Sequence, residues 1–425
     1  MSDATLATAE HPMPASIATP AGERWRILAF SLFAWTITNL DQSLFGYAIP
    51  GILEEFHAGL DTIGYILAIS FTAAAALVSV AGVAADRYGR RWALVSLLAA
   101  SGLLVSLQSF AGTLVVLTLL RALSFGLSGG LAPVTSAYVA EASPPRHRGL
   151  LMGALQCGYP LGWFLASLIA GPLLASHGWR SLFLFGLLVV PLAFLIGRQL
   201  PESRHFAAAR AQQSTAPDGA RWSGVAQLFA PEYRWRTVAC MVMFLSYGCA
   251  YAGTAFFFPT YFTQVRGYTP SEAAYLVGLS NGISAFGYIG AALVGEYVLT
   301  RRNTAAIWCT VGAVALTALL WLPTKRWHDM VLFAITATFF YGTNGVIATL
   351  LAELYPTRMR TTAYAICGSA ALSVGFALYP MVVPVAVAAY GWRFALSVAI
   401  APLLLIAAAA ALTLPDLRSG SEVTD

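Results

Sequence analysis

The sequence predicts an all-α membrane protein: twelve transmembrane helices in two six-helix bundles related by pseudo-two-fold symmetry. Three observations carry this expectation. Of 425 residues only 10% are charged and 58% are hydrophobic, with a mean hydropathy of +0.70. A soluble domain carries about 25% charged residues and could not hide so much apolar surface. Apolar runs long enough to cross a bilayer recur along the whole chain. Finally, the chain repeats itself at half its length. Glu141-Ala-Ser-Pro-Pro-Arg-His-Arg148 returns 212 residues later as Glu353-Leu-Tyr-Pro-Thr-Arg-Met-Arg360, and Gly178-Trp179-Arg180 returns as Gly391-Trp392-Arg393. Such a repeat points to a transporter whose two related bundles hold the substrate between them.

The elements follow in order. Residues 1–24 are polar and read as a flexible cytoplasmic tail without a cleavable signal peptide. The first bundle, 25–200, takes spans at about 27–50, 62–84, 92–110, 113–138, 149–174 and 180–199. A polar linker occupies 201–235. The second bundle, 236–415, takes spans at about 236–262, 272–298, 304–323, 329–352, 362–388 and 393–414, and 416–425 form a second tail. With both termini cytoplasmic, 18 of the 24 cations fall in cytoplasmic segments and five (Arg180, Arg266, Lys325, Arg326, Arg393) on the other side. That asymmetry sets the orientation, and the expected location is a bacterial inner membrane. The same alternation between loops argues against a nucleic-acid partner, despite a pI near 9.0. The five cysteines lie in apolar segments without a CxxC pair, and are expected to pack between helices rather than hold a metal. No cofactor is expected beyond the coupling proton, and the expected state is a monomer.

Between spans two and three stands Gly82-Val-Ala-Ala-Asp86-Arg87-Tyr-Gly89-Arg90-Arg91. It resembles the signature loop of the major facilitator superfamily, G-x-x-x-D-R-x-G-R-[RK], at every defining position. Arg121 followed by Gly126, Gly129 and Gly130 resembles the family's fourth-span motif. Leu200-Pro-Glu202-Ser-Arg204 and Glu353-Leu-Tyr-Pro-Thr-Arg358 resemble the sugar-porter and metabolite:proton symporter branches. The resemblance covers about residues 25–415 and implies two six-helix bundles and alternating access. It also implies that Gly82, Asp86, Arg87, Gly89, Arg90, Arg91, Glu141, Arg148, Glu202, Glu353, Arg358 and Arg360 are conformational machinery, with ion pairs that shut the bundles at the cytoplasmic side and break as it opens. The alternative is that they only set topology and local folding. The second signature loop is degraded: Gly295-Glu296-Tyr-Val-Leu-Thr-Arg301-Arg302 lacks the D-R-x-G core, so the latch is expected to rest mainly on the first copy.

Two charges sit where a bilayer disfavours them. Asp41 lies about 14 residues into the first span and Arg121 about eight into the fourth. Both fall near mid-membrane, where a bare charge costs at least about 2.5–3.5 kcal/mol. A water-filled cavity with an ionic ligand offsets that cost; so would a permanent pair bracing the first bundle. No His lies within a span, which leaves Asp41 as the candidate proton carrier. Aromatic-acid:proton symporters carry D-G-x-D near this point, and only the first Asp is matched here. Anion:cation symporters carry an Arg where this chain has Gln42, and an acid where it has Ser128.

Helical spacing nominates further cavity residues. They are Thr38 and Phe45 with Asp41; Phe125 and Ser128 with Arg121; and Gln156, Tyr159 and Trp163 on the fifth span. Tyr247, Tyr251, Asn281, Tyr341 and Asn344 come from the second bundle. Each has a packing alternative. The functional expectation is a proton-coupled symporter of a small organic anion, an aromatic or other carboxylate, with Arg121 binding the anion and Asp41 carrying the proton. A drug or organic-cation antiporter stays open, although the fifth span lacks the full G-x-x-x-G-P-x-x-G-G motif. A neutral-sugar:proton symporter also stays open, although the seventh span lacks a Gln-rich run. A non-transporting scaffold lacks a supporting tail or insertion, and no constellation supports an enzyme.

Overall fold

The structure is a computed structural model that describes residues 20–144, 148–202, 227–322, 325–355, 359 and 362–416. The side chains of Gly82, Asp86, Arg87 and Arg148, and the whole of Arg358 and Arg360, lie outside the described residues, as do 1–19 and most of the linker.

The described chain is helical, because in lipid every backbone polar group must be satisfied within its own segment. The first half runs through α1 (Ala21–Glu55), α2 (Leu60–Tyr88), α3 (Arg90–Gln108), α4 (Leu114–Gly129), α5 (Leu131–Ala142), α6 (Arg148–Gln156), α7 (Gly158–Ser176), the short α8 (Arg180–Phe183) and α9 (Gly186–Gln199). The second half runs through α10 (Arg234–Ala255), α11 (Phe258–Arg266), α12 (Pro270–Tyr297), α13 (Arg301–Trp321), α14 (Arg326–Phe340), α15 (Asn344–Glu353), α16 (Ala371–Ala399) and α17 (Ala401–Leu412). Starts are set by side chains that take orphan N–H groups. Thr113 accepts from Val116 N, Thr300 from Asn303 N, and Thr269 forms a capping box with Glu272.

Ten segments among the described residues are long and apolar enough to cross a membrane. One of them, Tyr364–Leu412, is broken at Gly391, where φ is 75°. α1 is not among the ten, because Thr36, Asn39, Asp41 and Gln42 make its middle polar. It is nonetheless 35 residues long, and Thr36 through Asp41 are all buried by protein.

The repeated Gly-Trp-Arg has a structural reason. Gly178 (φ 72°) and Gly391 (φ 75°) both take the left-handed conformation that only glycine adopts cheaply. Each turn sends the next Trp back to the last turn of a helix of its own half. Trp179 Nε1 donates to Glu55 Oε2 at 2.8 Å, and Trp392 Nε1 donates to Gln264 Oε1 at 3.0 Å. Arg180 adds an ion pair to Glu55 at 2.6 Å and donates to the Ser109 carbonyl at 2.8 Å.

On the opposite face, Arg90 pairs with Glu141 at 3.1 Å, and Glu202 accepts from the backbone N–H groups of Arg90 (2.9 Å) and Arg91 (3.2 Å). In the second half Arg301 sits between Glu296 and Glu353, and Arg302 reaches Asp416 at 3.1 Å. Among the described residues, each of these pairs joins two residues of the same half, while the expected latch residues Asp86, Arg148 and Arg360 have side chains outside the described residues. The degraded second loop also builds a cluster of its own, since Arg301 and Glu296 suffice without the D-R-x-G core.

The halves meet most closely where α7 lies against α12 and α2 against α16. Ser271 Oγ donates across this boundary to the Gly171 carbonyl at 2.8 Å. Gly278 of α12 approaches Ser167 of α7 so closely that a Cβ on Gly278 would overlap the Ser167 side chain.

Candidate functional site

The polar stretch of α1 is tolerated because its side chains bond to their own helix. Thr38 Oγ1 donates to Ala34 O at 3.0 Å, Asn39 Nδ2 to Trp35 O at 2.7 Å, and Ser43 Oγ to Leu40 O at 2.9 Å. Asp41 instead points across to α4. Its Oδ1 accepts from Arg121 Nη1 at 3.4 Å. Arg121 is fully buried, at 0% exposure, and Asp41 is 8% exposed. The Arg121 guanidinium lies 4.4 Å from the Phe45 ring centroid and 5.0 Å from that of Phe125, within cation–π range.

This pair is under-satisfied. A good Arg–carboxylate pair is bidentate at about 2.7–2.9 Å, whereas here there is one long contact. Arg121 Nε and Nη2 and Asp41 Oδ2 are buried without hydrogen-bond partners. A brace would be expected to satisfy both charges, because an uncompensated buried charge costs several kcal/mol. Two spare, aligned guanidinium donors are what a carboxylate ligand takes up. A cavity of about 20 Å³ beside Asp41 is lined by Thr38, Ser101 and Ser128 among apolar neighbours, enough for about one water.

Beyond Phe125 the aromatic rings continue across the boundary between halves. Phe71 of α2 meets Phe125 at 4.7 Å, Phe376 of α16 at 5.0 Å and Phe256 at 5.7 Å. Tyr251 of α10 meets Phe376 at 5.6 Å, Tyr159 of α7 at 5.4 Å and Tyr341 at 4.8 Å. Trp163 meets Phe256 at 5.9 Å and Tyr159 at 6.4 Å. The sequence-nominated residues therefore divide. Asp41, Arg121, Phe45 and Phe125 are in direct contact, and Thr38 and Ser128 line the small cavity with Asp41. Tyr159, Trp163, Tyr251 and Tyr341 share the aromatic network.

Tyr247 spends its hydroxyl on the Tyr341 carbonyl at 3.2 Å, and Asn281 spends its amide on Val277 O at 2.8 Å. Both groups are thus engaged locally. Gln156 is half-buried at the end of α6, and Asn344 lies beside Tyr288. Sequence reasoning missed Phe71, Phe256, Phe376 and Tyr288. Tyr288 shares a helix face with Asn281, seven residues earlier, and that spacing was a usable signal. Nothing marked the three Phe residues, since a Phe packed between the halves and a Phe facing lipid look alike in a hydrophobic sequence.

The positions that answer Asp41 and Arg121 in the second half, near an offset of 212, are Gly253 and Phe333. Phe333 packs on Phe258 at 4.5 Å, and Phe258 stands 213 residues after Phe45. Where the first half sets a guanidinium on a phenyl ring, the second sets another phenyl ring. The ionic site thus belongs to the first half alone.

The Major Facilitator Superfamily family model matches residues 31–370, most of the chain. The chain belongs to the major facilitator superfamily. It is accordingly an integral membrane transporter and not an enzyme. It is 30% identical over 354 residues to the cis,cis-muconate transport protein of Acinetobacter baylyi, covering 80% of this chain and 82% of that one. It is 26% identical over 368 residues to the gallate transporter of Pseudomonas putida, covering 80% and 81%. The solved structure of a D-xylose–proton symporter superposes with a TM-score of 0.74 at 16% identity, over 92% of this chain and 98% of that one. At that identity the likeness speaks for the fold alone.

Proposed function

We propose that this transporter moves a small organic anion, an aromatic or other carboxylate, together with a proton. The observation that carries the reading is the buried, under-paired Arg121, clamped between Phe45 and Phe125 with Nε and Nη2 free. A carboxylate supplies the charge and the paired acceptors these donors lack, and the phenyl rings suit a flat apolar body. The muconate and gallate carriers among its relatives support a carboxylate substrate.

Asp41 is the proposed proton carrier. Arg121 neutralises either Asp41 or the substrate. When the anion takes Arg121, Asp41 loses its counter-charge in a site shielded from water and takes up a proton. Anion and proton then bind with mutual help, by the same factor in each direction. We read twelve crossings in two six-helix bundles that rock about the site, with both termini cytoplasmic in a bacterial inner membrane; the repeat at half the chain length and the uneven split of Arg and Lys between loops support that reading. The Arg90–Glu141–Glu202 and Arg301–Glu296–Glu353 clusters keep each bundle rigid at its cytoplasmic end while the bundles move.

Asp41→Asn is expected to exchange labelled substrate across proteoliposomes while losing accumulation on a pH gradient. Uphill uptake kept in that variant sinks the proton role. Thermal stabilisation of the purified protein by benzoate, lost in Arg121→Ala, tests the anion role. Equal stabilisation of both proteins would remove it.

A further inference from the structure

Asp41 has a neighbour besides Arg121: the small cavity that its carboxylate borders. The walls come from α1, α3, α4 and the start of α9, all in the first half. Arg121, Phe45 and Phe125 do not line it. It is therefore a different space from the one the guanidinium and its two rings enclose. Gly102 of α3 and Gly186 of α9 both line it, and a Cβ on Gly186 would overlap the Gly102 carbonyl. The two backbones thus touch, which closes the cavity where these helices cross.

Four side chains bring oxygen to this space: Asp41, Thr38, Ser101 and Ser128. Each hydroxyl spends its proton on its own helix. Thr38 Oγ1 donates to Ala34 O at 3.0 Å, Ser101 Oγ to Leu98 O at 3.0 Å, and Ser128 Oγ to Ser124 O at 2.7 Å. What the hydroxyls have left is lone pairs, which accept. Asp41 Oδ2 is buried without a partner. The cavity therefore calls for a donor, and its volume of about 20 Å³ fits one water. A sodium ion also takes oxygen ligands. Here, however, Asp41 is the sole titratable residue in the lining, and the Arg121 guanidinium already stands 3.4 Å from its Oδ1. That leaves no net negative charge to hold a second cation. Water also suits both forms of Asp41, whereas a cation suits one. It donates to the ionised Oδ2. From a protonated carboxyl it accepts the O–H and keeps its own two hydrogens for the serine oxygens.

We propose that this cavity is the site of a resident water that is the hydrogen-bond and proton partner of Asp41, inside the first half and apart from the anion site at Arg121. Its part begins when the anion takes Arg121 and Asp41 gives up its guanidinium. The step moves one proton. An excess proton on the water passes to Oδ2, one O–H bond breaks as another forms, and a neutral carboxyl and an intact water remain. Ser101 and Ser128 are positioning residues that hold the water. The inference rests on the reading of Asp41 as the proton carrier.

The test uses the full-length protein in detergent as wild type, Asp41→Asn, Ser101→Ala and Ser101→Val. Infrared difference spectra are taken across a step from alkaline to acid pH, and the hydrogen–deuterium exchange of the new carboxyl is timed after dilution into D₂O. The C=O band of Asp41 is the one lost in Asp41→Asn. Ser101→Val fills the cavity, and Ser101→Ala removes one partner of the water. In Ser101→Val the band should move to higher frequency, because the carboxyl loses its bonded water, and its exchange should slow at least about tenfold. Ser101→Ala should fall between. Choline in place of Na⁺ at constant ionic strength should leave the wild-type band and rate unchanged. A merely structural role for Ser101 would lower the thermal midpoint and move neither reading. The same band and the same rate in all three forms of residue 101 overturn the proposal, and so does a band that Na⁺ suppresses. If the Asp41 band is present but indifferent to Ser101, only this inference fails. If Asp41→Asn removes no band, the proton-carrier reading fails with it.

Discussion

The contact between α7 and α12 offers a direct test of how the halves meet. A Cβ on Gly278 would overlap the side chain of Ser167, whose Cα lies 3.3 Å from the same point. Ser167 is buried, and its hydroxyl donates to Phe164 O at 2.6 Å, so it cannot swing aside without breaking that bond. Overpacking of this kind costs about 1–3 kcal/mol, which is roughly a 5–150-fold shift against any state that keeps these helices in contact. Gly278→Ala should therefore populate a state with α7 and α12 apart. Ser167→Gly removes both overlapping atoms, so the double variant should recover most of the loss, and the cycle isolates the contact. The assay is a pulsed-EPR distance between nitroxides at Phe110→Cys and Tyr390→Cys, which are 73% and 68% exposed and lie one on each half. Cys157, half-buried, is replaced by Ser in the background. Gly278→Ala should add a longer-distance population. An unchanged distribution, or a double variant shifted as far as the single one, refutes the claim that this contact gates the halves.

Further outcomes follow from the two Gly-Trp-Arg turns. Gly391→Ala should lower stability by about 1–2 kcal/mol through backbone strain alone, because a Cβ there meets nothing within 4 Å; a thermal midpoint equal to wild type would count against this. Glu55 ends α1 beyond the expected span, and hydrogen bonds from Arg180, then from Trp179, hold its carboxyl below the usual range against a smaller effect of burial. Its contribution is therefore fully present above the unfolded value of about 4.3 and is lost as pH falls through the lower folded value. The pair is largely exposed and screened, so that contribution is about 0.2–1 kcal/mol. Glu55→Gln should remove it at pH 6 and show a correspondingly smaller loss of thermal stability between pH 6 and pH 3.

Most of the helix pattern was legible in the sequence, because membrane spans announce themselves by length and apolarity. α1 shows the limit of that signal: its polar middle, Thr36 to Gln42, lowers its hydropathy below that of the other spans although the chain buries it. Asp41 and Arg121 were legible because a charge inside a span needs a reason. Their geometry was not. Whether they form a tight brace or a slack pair depends on how α1 and α4 are set relative to each other, and only the 3.4 Å single contact decides it.

Composition and periodicity determined by themselves that the chain is a helical membrane transporter with an internal repeat, and that its only two mid-membrane charges lie in the first half. These follow from transfer energies, which act residue by residue and leave a mark in the sequence. Only the tertiary structure decided that Arg90 meets Glu141, and Arg301 meets Glu296 and Glu353, within their own halves, that Phe71, Phe256 and Phe376 link aromatic rings of both halves, and that Arg121 keeps two guanidinium nitrogens unpaired beside Asp41. Those facts depend on which faces meet, and in so apolar a chain many faces look alike until packing selects among them.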